Sequence, residues 1–270
     1  MLRNRLATLG LFIVVVITLL ALAAPWLASE NAFRMNLADR LAGPSHGHIL
    51  GTDTYGRDIF ARILLGASIA MQVALTAVSV AFIIGVPLGG IAGYMGGLFD
   101  TAVMRLIDAL LAFPGRLLAI ALVAATGTSF LTLCAAVAVN AIPGYTRVIR
   151  AAVLMQKDKE YVEAARMNGE SGARILFSEI FPNCLAPVLV LVTLDFAHAI
   201  LLESSLSFLG LGFPPPAPSW GLMLSEARGY MEIAPHVAIF PGLAISLTIL
   251  GFNLLGDGLR DVFDPRQYER

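Results

Sequence analysis

Two ionisable side chains three residues apart, Asp195 and His198, stand just beyond the charge-free run Ile180–Leu194. That spacing puts both on one face of a helix. Charged groups in so apolar a setting either pair with one another or line a polar path. In the first case the two make a structural contact. In the second, the acid attracts an ammonium group or a cation. Glu203 lies further along the same segment, near the end where it can meet water. Asn140 and Asn253, with Thr193 and Ser204, are weaker members of this class, because lone polar residues in apolar helices commonly bond to a neighbouring helix.

A second group is a polar stretch, Arg147 to Pro182, between apolar runs. Tyr161 to Asn168 holds good helix formers and ends at Gly169, the residue suited to a left-handed cap. A second short helix starts at Ser171 or Gly172 and is expected to stop near Ile180 and Pro182, where the next apolar run begins. Two short helices meeting at a glycine form a knob carrying Glu163, Arg166 and Arg174. Small methyl groups on Ala164 and Ala165 let such a knob sit close against a partner. An amphipathic loop on a membrane surface is the alternative.

The third group, Asp53, Arg57, Asp58 and Arg62, lies in a segment from Ser29 to Leu65 punctuated by Gly51, Gly56 and Gly66. These charges can pair within a folded cap. His46 and His48 flank Gly47 and are read as solvated, so no metal site is expected. Prolines stiffen Phe213 to Gly221, including Pro215. Trp220 at its end is either an interfacial anchor or part of a rigid gate.

The elements that position these groups are set by composition. The 270 residues are 57% hydrophobic and 14% charged, with a mean hydropathy of +0.79, which places the chain in a bilayer. Charge-free runs long enough for spanning helices, which need about 20 residues, give an all-α polytopic membrane protein. Six spans are expected, at roughly 7–27, 69–92, 103–125, 129–148, 184–206 and 236–257. The third and fourth are divided at Thr126-Gly127-Thr128-Ser129. With both termini inside, the cytoplasmic segments hold twelve Lys and Arg residues (Arg3, Arg5, Arg105, Arg147, Arg150, Lys157, Lys159, Arg166, Arg174, Arg260, Arg266, Arg270). The outer segments hold Arg34, Arg40, Arg57, Arg62 and Arg228, and this bias follows the positive-inside rule. A cleaved signal peptide is the alternative for the first helix, whose apolar run exceeds an h-region of about 7–15 residues. Gly85, Gly89, Gly90 and Gly93 are expected at a close helix contact. Cys134 and Cys184 offer no disulfide framework. No basic patch interleaved with aromatics points to nucleic acid.

No Gly-x-x-x-x-Gly-Lys-Ser/Thr stretch, Gly-x-Ser-x-Gly elbow, His-Glu-x-x-His helix or Cys-x-x-Cys pair occurs, so no nucleotide-binding or catalytic residues are expected. Two rival classes remain on these residues: a secondary carrier using Asp195 and His198 as a proton relay, and a structural membrane subunit with no pore.

Glu163-Ala-Ala-x-x-x-Gly169 followed by Ile180-Phe-Pro182 resembles the "EAA" coupling loop of ABC importer permeases. Four further stretches resemble the dipeptide, oligopeptide and nickel branch, C-type subunit: Leu50 to Arg62, Ser207 to Gly212, Pro218 to Gly221, and Phe252 to Asp261 with Asp264-Pro265. Glu179 departs from the basic residue or histidine that many relatives carry there. The resemblance implies a type I importer permease fold with cytoplasmic coupling helices in the bacterial inner membrane. It divides the chain into residues 1–68, a first helix and periplasmic loop, and a permease core, 69–270, with a coupling loop at 150–182 and a periplasmic loop at 207–235. It implies a B-type sister permease, two ATPase subunits that carry the ATP and Mg2+, and a substrate-binding protein contacted by the outer segments. Short peptides are the implied cargo, with nickel, opine-like compounds and glutathione as alternatives.

Overall fold

The computed structural model describes residues 5–28 and 31–263. Arg3, Arg266, Arg270 and the Asp264-Pro265 pair lie outside them. Among the described residues the chain is helical, with one isolated bridge between Thr52 and Asp58. Five helices among these residues are long and apolar enough to cross a membrane, or six when a bent pair is counted as one span.

The first crossing, α1 (Arg5–Leu27), is apolar on every side and still largely exposed within the chain, as befits a helix facing lipid. The second, α2 (Ile59–Met95), starts at Asp58, whose side chain accepts from the Ala61 amide at 2.8 Å. Its 37 residues reach about 55 Å, well beyond the roughly 30 Å of hydrocarbon. The surplus stands in the outer cap, so the helix runs unbroken across residue 68, where the sequence was divided.

The third crossing is not the single straight helix expected over 103–125. Helices α3 (Gly97–Leu111) and α4 (Gly115–Thr126) meet at 84°. Pro114 supplies the break, since it disfavours helical backbone at Phe113 before it. Gly127, at φ +84°, ends α4. Ser129 then accepts from the Thr132 amide and starts α5 (Phe130–Gln156), so the turn falls where expected.

A short helix, α6 (Glu160–Met167), is followed by α7 (Gly172–Arg174), which continues without interruption through a π-helical segment (Ile175–Ile180) into α8 (Phe181–Phe208). Pro182 therefore does not stop the helix. The wider π turn pairs the Phe181 amide with the Leu176 carbonyl, five residues back, and so absorbs the register in which proline lacks its donor. A small outer helix, α9 (Trp220–Ala227), and the last crossing, α10 (His236–Phe263), complete the chain.

The core lies where α2 meets α5, α8 and α10. Glycines make the closest of these contacts possible. A Cβ on Gly89 would strike the Thr146 carbonyl, and one on Gly85 would lie 2.7 Å from Tyr145 Cβ. Packing at this distance replaces the hydrophobic drive that lipid does not supply.

Candidate coupling knob and cargo cavity

At one end of the molecule, Glu160 and Glu163 occupy the first turn of α6, at its positive end. The helix closes in a Schellman turn: Gly169, at φ +79°, donates to Arg166, and Glu170 donates to the Ala165 carbonyl at 3.2 Å. Val162 and Ala165 are buried against Ile175, Leu176 and Ile180. This corrects the reading of Ala165 as a contact for a partner, because its methyl faces the chain's own core. Ile180 is likewise fully buried. Glu163, Ala164, Arg166, Met167, Gly169 and Arg174 form the exposed face, with Phe177 half-exposed beside them and Pro182 exposed at the start of α8.

Two anchors hold the knob to the spans. Arg166 sits 6.0 Å over the Tyr94 ring near the end of α2, and Phe181 packs where Gly90 leaves room. The Tyr161 hydroxyl donates to Gln156 at 3.1 Å, and burial pushes its phenol above the ordinary range.

Along the chain's helices from the knob, α2, α4, α5 and α8 line an open cavity of about 330 Å³. Asp195, His198 and Asn140 line it together. His198 Nδ1 lies 3.4 Å from Asp195 Oδ1, so the two share one helical face and pair, while both still front the cavity. Asp195 Oδ2 is buried without a hydrogen-bond partner. The Tyr145 hydroxyl faces the same carboxylate without completing a hydrogen bond to it. Asn140 donates to the Ala136 carbonyl at 2.9 Å and turns its oxygen towards Gly115, the first residue of α4.

Glu203 does not join this cavity and does not meet water. It is 1% exposed, and its Oε1 accepts from Ser207 at 2.7 Å and Ser219 at 2.9 Å. The acid thereby ties α8 to the start of α9. Asn253 is half-buried on α10, also away from the cavity.

The outer cap is held by buried charge. Arg57 Nε meets Asp53 at 2.6 Å and its Nη2 meets Glu226 of α9 at 2.7 Å. Arg62 lies 3.4 Å from Asp53 and 3.8 Å from Glu226. Asp53, Arg57 and Arg62 are buried and so do not present themselves for contact with another protein. Asp58 caps α2 and pairs with His48 at 2.8 Å, which corrects the reading of His48 as merely solvated. Trp220 is 2% exposed and donates to the Ile63 carbonyl at 3.0 Å, over the space left by Gly66. It is an internal tie, not an interfacial anchor. Pro215 is exposed at the tip of its loop.

Residues 85–268 match the family described as "binding-protein-dependent transport system inner membrane component". The chain belongs to this family. Residues 1–44 of the permease also match the N-terminal transmembrane domain of oligopeptide transport permease C. It is 46% identical over 264 residues to a dipeptide transport system permease protein of Alkalihalophilus pseudofirmus, covering 98% of this chain and 87% of that one. It is 47% identical over 258 residues to a glutathione transport system permease protein of Pectobacterium atrosepticum, covering 95% and 85%. Among solved structures, an inward-facing form of the MetNI methionine ABC transporter is similar, with a TM-score of 0.61 at 16% identity over 75% of this chain and 97% of that one. The permease thus has the type I ABC importer fold.

Sequence reasoning on the permease missed two charged residues. Arg116 lines the cavity, and as an ionisable residue inside an assigned span it carried the same signal that drew attention to Asp195. Glu226, the partner of Arg57, is 169 positions away along the chain and carried no local signal.

Proposed function

We propose that this permease carries short peptides through the bacterial inner membrane as one of two dissimilar permease subunits, driven by two separate ATPases that dock on its knob. The observation that carries the reading is the unbroken helix from Gly172 to Phe208. It joins the exposed knob to Asp195, 23 residues beyond Gly172 or about 35 Å along the axis, and to His198 one turn later. A push on the knob is therefore delivered to the cavity wall along one continuous helix. ATP and Mg2+ act on the partner subunits, and closure of those subunits exchanges one open face of the cavity for the other. That helix is the lever.

A substrate-binding protein delivers cargo to the outer face, where Pro215 is exposed, while Asp53, Arg57, Arg62 and Trp220 keep the cap in shape behind it. Counting the bent pair as one crossing gives six, which supports a reading with both ends of the chain on the same side, and the positive-inside bias favours the cytoplasm as that side. Peptide cargo is supported by the names of the similar dipeptide and peptide permeases, and glutathione, itself built from amino acids, by another. The carrier reading has no observation in its favour.

Glu163→Lys or Gly169→Asp tests the coupling. Each is expected to reach the membrane at wild-type levels and to lose peptide uptake while the partner ATPases continue to hydrolyse ATP. Normal uptake by either variant overturns the assignment.

A further inference from the structure

The cavity holds a cation as well as an acid. Arg116 lines it beside Gly115 and, unlike Arg57, Arg62, Arg147, Arg150 and Arg174, meets no carboxylate within ion-pair distance among the described residues. It belongs to the first turn of α4, which begins after Pro114 with no side-chain cap. The leading amides of such a helix are unmatched and its end carries partial positive charge. Both features favour an anionic group at that wall. Asp195 supplies the opposite sign from α8, with Oδ1 towards His198 and Oδ2 buried without a partner. A carboxylate has about four acceptor sites, so the single contact with His198 leaves capacity for a further donor.

We propose that, in its role as the cargo's passage, this cavity recognises a zwitterion, with Arg116 receiving the cargo's carboxylate and Asp195 its ammonium group. The inference rests on the importer reading above. It narrows the cargo to molecules with both groups free, such as unblocked short peptides. A bare metal cation is disfavoured, because Arg116 repels it and no group of three or more His, Cys, Asp or Glu side chains is placed to hold one among the described residues. At about 330 Å³ the cavity falls within the roughly 300–1,000 Å³ of small-molecule sites.

The test uses the assembled importer with its sister permease, ATPases and binding protein in proteoliposomes. Three probes are used: L-alanyl-L-alanine, its C-terminal amide and its N-acetyl derivative. Uptake by each variant is divided by wild-type uptake of the same probe, which cancels the binding protein's own preference. Arg116→Gln is expected to lower this ratio about tenfold or more for the two probes with a free carboxylate and to spare the amide. Arg116→Lys is expected to recover much of the loss. Asp195→Asn is expected to lower the two probes with a free ammonium group and to spare the N-acetyl form. A uniform change across all three probes in both variants overturns the charge assignment and leaves the importer reading intact. A wild-type assembly that imports none of the probes overturns the peptide reading, and this inference with it.

Discussion

Replacing Arg57 by alanine removes the residue that joins the outer segment to α9. The side chain is 2% exposed and makes charge-assisted bonds of 2.6 Å to Asp53 and 2.7 Å to Glu226, while its guanidinium covers the Tyr55 ring at 4.5 Å. Bonds to charged groups contribute about 1.5–3 kcal/mol each. Their loss leaves two poorly solvated carboxylates to share Arg62, whose contacts are longer, at 3.4 and 3.8 Å. Breaking a buried pair from one side costs about 3–5 kcal/mol. In a chain of this size that corresponds to a fall in melting temperature on the order of 10 °C. Thermal unfolding of the purified permease in mild detergent, followed by tryptophan fluorescence, reads the effect directly because buried Trp220 lies in the same outer cap. Arg57→Lys should fall between, since an ammonium cannot serve both acids with the fork of a guanidinium. Arg34→Ala, at an exposed position, should melt with the parent. Arg57→Ala combined with Glu226→Ala should cost less than the sum of the two single changes. A melt of Arg57→Ala within a degree or two of the parent, or strict additivity in the cycle, refutes the argument.

Gly89→Val should abolish accumulation of folded permease in the membrane, because the added Cβ would strike the Thr146 carbonyl at a close backbone contact between helices, where overpacking costs about 1–3 kcal/mol or more; immunoblots of membranes check it. Glu203→Ala strands the hydroxyls of Ser207 and Ser219 and should lower stability by about 1–3 kcal/mol, with Glu203→Gln milder because one acceptor oxygen survives; the same melting assay separates them. Gly169→Ala places a Cβ at φ +79°, costing about 1–2 kcal/mol, and should reduce uptake more than it reduces membrane levels, since it distorts the knob and not the spans.

The crossings were legible because bilayer thickness dictates apolar run length, and Gly127 and Gly169 were legible because left-handed backbone selects glycine. The shared helical face of Asp195 and His198 followed from spacing alone, with pairing and lining a path left as alternatives. Where the sequence misled, tertiary structure had overridden a local rule. Pro182 reads as a helix stop, yet a π segment carries the helix through it. Trp220 reads as an interfacial anchor or part of a rigid gate, yet Gly66 and the Ile63 carbonyl, more than 150 positions earlier, give it an internal seat. Glu203 reads as a path residue or a water-facing acid, yet Ser204, Ser207 and Ser219 enclose it. The bend between α3 and α4 is marked by Pro114, but its direction, which brings Arg116 to the cavity, depends on what α5 offers for α4 to pack against.

The central claim, that an ATPase docks on the knob and drives α8, is tested most directly by a photo-crosslinking amino acid at Met167, which is 89% exposed at the end of α6. Irradiation of native membranes, followed by mass spectrometry of the adducts, should recover an ATPase subunit, in a yield that changes when ATP is trapped on the complex. Adducts with lipid alone, or a yield indifferent to nucleotide, would contradict it.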